Sequence, residues 1–196
     1  MTGKTSVVTP ERFASGLTYQ DYISQINVNK ERFEEFYESG QLTPEDAAFF
    51  QAAAERADGP AKVLVLGEDW CPDVYRGMPM MARIAEAAGI EMRVFPRDQH
   101  LDIMDEFLNH GEHQSIPVAV FYDKEHRYIT HWIERPASAN EERGQIDADV
   151  KRDLPNGDEQ AIRAEVRART QARHPAWQQQ SIAEMRRFLT DKLGLS

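Results

Sequence analysis

The chain has 196 residues, 41% of them apolar, and a formal net charge of −10, which fits one soluble globular domain with a sizeable core. The acidic balance argues against nucleic acid or an anionic membrane surface as the main partner. The opening MTGKTSVVTPERF has no apolar signal region, no stretch is long enough to cross a bilayer, and Cys71 is the single cysteine, so a reducing, cytoplasmic setting is the simplest expectation.

Residues 1–58 read as an N-terminal helical extension. Tyr19, Tyr22, Ile23 and Ile26 recur at helical spacing behind Thr18, an N-cap with Asp21 three positions on. Asn29 is placed to cap a second helix carrying Phe33, Phe36 and Tyr37, with Gly40 at its end. Thr43-Pro44-Glu45-Asp46 joins a capping hydroxyl, a proline at the first helical position and acids in the first turn. That third helix runs through Phe49, Phe50 and Ala53 and stops near Asp58-Gly59-Pro60.

Residues 59–136 alternate strand and helix. KVLVLG (62–67) is a short apolar run of the kind buried on both faces of a sheet. Pro72 to Ala88 reads as a helix with Met78, Met81, Ile84 and Ala88 on one stripe, and Pro79 inside it predicts a kink. EMRVFP (91–96) is a second strand, and Leu101 to His110 a helix with Ile103, Met104, Phe107 and Leu108 inward. IPVAVFYD (116–123) and YITHWIE (128–134) are the third and fourth strands, joined as a hairpin through Asp123 to Arg127. The leading strand-helix-strand unit implies parallel pairing and a right-handed crossover.

Residues 137–196 form a charged C-terminal helical extension. Ile162 and Val166, then Ile182, Met185 and Leu189, make narrow apolar stripes, and Asp153 to Asp158 is a loop between helices. The three stretches are expected to pack as a single structural domain.

Cys71 stands where the first strand passes into a helix. Unsatisfied N–H groups at a helix start favour an anion and lower a thiol pKa. Glu68, Asp69 and Asp73 pull the other way. The two effects are of similar size, about 1 kcal/mol or less each, so the residues alone leave both a reactive thiol and a small buried hydrophobe open.

The turn Trp70-Cys71-Pro72-Asp73 after KVLVLG resembles the active-site turn of the thioredoxin superfamily. Pro79 lies where thioredoxins have a helix-kinking proline, Ile116-Pro117 resembles their cis-proline segment, and the hairpin to Glu134 follows in the right order. The resemblance covers about residues 60–135. With its N-terminal helices and Cys-Pro-Asp turn, the whole chain resembles bacterial proteins of the "thioredoxin family protein" type. It implies a thioredoxin-like three-layer α/β/α fold on a mixed four-stranded sheet, flanked by helical extensions. It also implies that Cys71 is the nucleophile, that Trp70, Pro72, Asp73 and Val74 set its environment and bind substrate together with Ile116 and Pro117, and that Ser115 stands at the rim of that groove. Two departures matter. Val74 replaces the resolving cysteine, and Val65 stands where many thioredoxins bury a carboxylate. A mixed disulfide on Cys71 would then persist until an outside thiol resolved it.

Two functions follow as expectations. The first is a monothiol exchange protein, acting on a protein disulfide or on glutathione as co-substrate, with no resident cofactor. The second is a non-catalytic binding or scaffold module, which could be a homodimer. His110, Glu112 and His113 lie close in sequence, but a helix end attracts histidine for its own reasons, and no metal site is expected. Arg163, Arg167, Arg169 and Arg173 make a basic face interleaved with Glu159 and Glu165, read as a solvated face or an intersubunit contact.

Overall fold

The computed structural model describes residues 6–195. Four strands, β1 (Lys62–Gly67), β2 (Glu91–Pro96), β3 (Val118–Tyr122) and β4 (Tyr128–Ile133), form one sheet in the order β2-β1-β3-β4. β1 pairs parallel with β2 and antiparallel with β3, and β3 pairs antiparallel with β4. The mixed four-stranded sheet expected from the sequence is therefore present, and Val63, Leu64, Val65 and Leu66 of β1 are all buried, because helices cover both faces.

The helix between β1 and β2, α5 (Pro72–Ala88), runs over one face with Pro79 inside it. That face also carries Trp132, whose indole N–H donates to Glu184 on the C-terminal helix at 2.8 Å. The opposite face is closed by Phe13 against Tyr122 and by Phe107 against Tyr128 and His131. Phe13 belongs to α1 (Pro10–Ala14), a helix absent from the sequence reading although Thr9 caps it and Pro10 opens it.

α2 (Tyr19–Gln25) and α4 (Pro44–Glu55) start at Thr18 and Thr43, whose hydroxyls accept from the N–H groups of Asp21 and Asp46. α3 (Lys30–Ser39) starts after Asn29 as expected, but Asn29 is not a side-chain cap: its φ is 58° and its amide donates instead to the carbonyl of Asp69 at 2.8 Å. The amide is drawn away to tie the N-terminal extension to the turn before Cys71. Just before α2, Leu17 and Val94 exchange two backbone hydrogen bonds, at 3.0 and 2.8 Å, and so cover the exposed edge of β2.

The expected helix from Leu101 to His110 is shorter. α6 spans Leu101–Met104 only, and His100 gives it no side-chain cap. The chain then turns, with positive φ at His110 and Gly111 and an Asn109–His113 bridge. Ile103, Met104 and Phe107 are buried, while Leu108 is half-buried. β3 also starts two residues later than expected, since Pro117 has no N–H to give the ladder. α7 (Ala137–Asp153) and α8 (Glu159–Leu193) follow β4 as an antiparallel pair, and α8 carries Pro175. Ile182, Met185 and Leu189 of α8 enter the same buried cluster as β1, α5 and Phe33, Phe36 and Phe50 of the N-terminal extension.

Candidate functional site

Cys71 is the N-cap of α5, in extended backbone with φ −88° and ψ 123°. Its carbonyl accepts from Val74 and Tyr75 at 3.0 and 3.1 Å, which closes the first turn. Pro72 occupies the first helical position, where a missing N–H costs nothing. The Sγ of Cys71 lies 3.8 Å from the carbonyl oxygen of Ile116, and the Ile116–Pro117 peptide is cis. Strand and helix thus bring the two sequence-distant halves of the expected site together. Gly77, one turn further along α5, permits the approach: a Cβ there would sit 3.0 Å from Pro117 and 3.8 Å from Trp132.

The other expected residues divide by exposure. Trp70 is 51% exposed with the Arg97 guanidinium 5.6 Å from its ring centroid. Pro72 is exposed, Asp73 half-buried, and Ile116 and Pro117 buried. Val74, in the resolving-cysteine position, is fully buried in the core, and so is Val65 in β1.

The three carboxylates around Cys71 do not act alike. Glu68 accepts from the N–H of Asp98 at 2.7 Å, and Asp69 accepts from the N–H groups of Asn27 and Val28 at 3.0 and 3.2 Å. Asp73 stays at the thiol and bridges two arginines, Arg76 at 2.8 Å and Arg135 at 2.5 Å. Arg135 also pairs with Glu134, and Glu134 (φ 65°) lends its carbonyl to Arg76 at 3.2 Å.

Burial pushes the Cys71 thiol up, and the charges of Asp73 and Glu134 add to that rise. The N–H groups of Val74 and Asp73 oppose it without prevailing. The contest that the sequence left open is decided by desolvation more than by the neighbouring acids.

Arg76 was not anticipated. It is 1% exposed, five positions past Cys71, and its Nη1 has no hydrogen-bond partner. The sequence offered one signal, the Asp73–Arg76 spacing of i,i+3. Arg135 and Glu134 carried none, because only the β3–β4 hairpin brings them to the thiol.

A family model described as thioredoxin matches residues 16–148. The chain belongs to the thioredoxin family. Two solved structures share the fold of this thioredoxin-like protein at a TM-score of 0.64. One is a protein of unknown function from Pseudomonas aeruginosa, 19% identical, with 96% of this chain and 99% of that one covered. The other is an HIV epitope-scaffold, 18% identical, with 95% and 99% covered. No curated protein matches.

Among the described residues, no group of three or more His, Cys, Asp and Glu side chains is gathered as a metal site, and His110, Glu112 and His113 lie exposed. No described helix is long and apolar enough to cross a membrane. Most of the basic face on α8 is paired within the chain. Arg163 pairs with Glu159, Arg169 with Glu165 and Asp153 at 2.7 and 2.8 Å, and Arg173 with Glu142 at 2.8 Å.

Proposed function

We propose that this thioredoxin-family protein carries out monothiol exchange through Cys71. The observation that carries the reading is the placing of a half-exposed thiol at the start of α5, against the Ile116 carbonyl. The Cys71 thiolate would attack one sulfur of a disulfide, form a mixed disulfide and release the other sulfur as a thiolate. With a valine buried at position 74, a second thiol from glutathione or a protein completes the cycle. Because the thiol is pushed up, little of it is thiolate at neutral pH, and capture is slow rather than rapid.

Incubation with oxidised glutathione followed by intact-mass measurement tests this. The expected result is one glutathionyl adduct per chain, faster as pH rises, removed by reduced glutathione and absent in Cys71→Ser. A folded protein that gains no adduct even at alkaline pH would overturn the proposal.

The raised thiol favours a second reading, a binding module that uses the thioredoxin fold without chemistry. In that reading Cys71→Ser leaves partner capture and stability unchanged, and the glutathione experiment shows no adduct.

A further inference from the structure

A cleft lies beside the Cys71 turn but not at the thiol. It encloses about 700 Å³ between that turn, the end of β4 and the α7–α8 pair, within the range of about 300–1,000 Å³ that holds small organic ligands. Arg135, Arg143, Arg163 and Arg167 line it, against Asp73 and Asp147 as the acids.

Most of these charges are already committed. Arg135 is held by Asp73 and Glu134, Arg163 by Glu159, and Asp147 by Lys151 at 2.5 Å. Among the described residues, Arg143 and Arg167 form no ion pair and no hydrogen bond, one on α7 and the other on α8. In a chain of net charge −10, two uncommitted guanidinium groups on the walls of one concavity form a local positive field.

A second, independent feature lies in the wall. His174 is 4% exposed and lines the cleft, and its Nδ1 has no hydrogen-bond partner. A buried polar nitrogen without a partner is costly unless something fills the site. Burial and positive charge both act on this ring. It is driven down to about 4, first by burial and then by Arg76, with Arg32 and Arg143 adding to the fall against Asp73. Trp70, Ile162, Val166 and Trp177 supply apolar lining between the charges.

We propose that this cleft binds a small organic molecule bearing a doubly charged oxyanion, a phosphate monoester or a dicarboxylate, joined to an apolar or aromatic body. Arg143 and Arg167 pair with the oxyanion from opposite walls, in the forked geometry that guanidinium groups offer to phosphate and carboxylate. The Ile162, Val166 and Trp177 side chains receive the apolar part. The site needs no thiol chemistry, so it stands or falls apart from the exchange reaction.

Calorimetric titration with phenyl phosphate, phthalate and, as a cationic control, benzamidine tests this on the full chain. The expected result is saturable binding of at least one of the two anions, weakened by salt and unchanged in Cys71→Ser. Which anion binds more tightly separates the phosphate source from the dicarboxylate. The double variant Arg143→Gln/Arg167→Gln, at two exposed positions without partners, should fold as the parent does and bind at least tenfold more weakly. Three outcomes would overturn the proposal: no saturable binding of either anion to the parent protein, equal affinity in the folded double variant, or benzamidine binding as well as the anions.

Discussion

The Cys71 Sγ lies 3.8 Å from the carbonyl oxygen of Ile116, an acceptor that favours the protonated thiol. A carbonyl accepts from S–H and gives nothing to S⁻. Burial, the Asp73 carboxylate and Glu134 push the thiol the same way. Alkylation by iodoacetamide, followed across pH, should therefore show a midpoint above the ordinary cysteine value of about 8.5. The single cysteine makes every event report on Cys71. A midpoint below that value would mean that the N–H groups at the start of α5 outweigh burial.

Asp73 links the reactivity of this turn to its stability. Its charge raises the thiol, and it also neutralises Arg76, which is 1% exposed. Asp73→Asn should lower the alkylation midpoint, because a charge that disfavours the thiolate is gone. It should also cost stability of about 3 kcal/mol, the usual scale for stranding a buried charge. Both shifts are measured on one sample, by alkylation rate and urea unfolding. A variant as stable as the parent would show that the Glu134 carbonyl holds Arg76 without Asp73.

His174 gives the protein an acid-sensitive element. Packed among Phe36, Tyr75 and Trp177, it has a folded pKa near 4 against an ordinary value of 6.5, through burial first and the charge of Arg76 second. The folded pKa is depressed, so the unfolded chain takes the proton first as pH falls. The neutral ring's contribution is present in full above pH 6.5 and is lost progressively down to about pH 4. Over that window the loss amounts to about 3 kcal/mol. Melting temperature measured from pH 7 to 4 should fall, and His174→Phe should flatten the slope. An unchanged slope in that variant would place the acid sensitivity in other groups.

Much of this was legible in the sequence because local rules and tertiary structure agreed. Thr18 and Thr43 cap helices, KVLVLG is a doubly covered strand, and Pro72 to Ala88 is one helix from end to end. Local pattern and structure part company where a long-range contact overrides a local one. Asn29 looked like a cap, but its amide crosses to Asp69. The stretch after Met104 was helix-like in composition, yet uncapped and closed by positive-φ residues at 110 and 111. At the site, Cys71 and Pro117 were identifiable by motif. The Asp73–Arg76–Arg135–Glu134 network was not, since two of its four members reach the turn only through the hairpin.

Glu142 fastens α7 to α8. It accepts from Arg173 at 2.8 Å, the Trp177 indole at 2.9 Å and Gln180 at 3.3 Å. Those bonds, Arg173 first and Trp177 next, hold its carboxyl at about 2 against an ordinary 4.5. Trp177 is 1% exposed, so Glu142→Ala strands a buried indole N–H as well as removing an ion pair. The expected cost is about 1–3 kcal/mol, the penalty for one buried donor left unmade. Glu142→Gln can still accept from the indole and should cost less. Because the folded pKa is depressed, this latch is at full strength above about pH 4.5 and weakens as pH falls towards 2. Amide hydrogen exchange should show the Ala variant opening the α7–α8 pair ahead of the sheet, since α7 contributes little to the main core. Protection lost equally in β1 and α7 would mean that the helical pair and the thioredoxin-like core unfold as one unit.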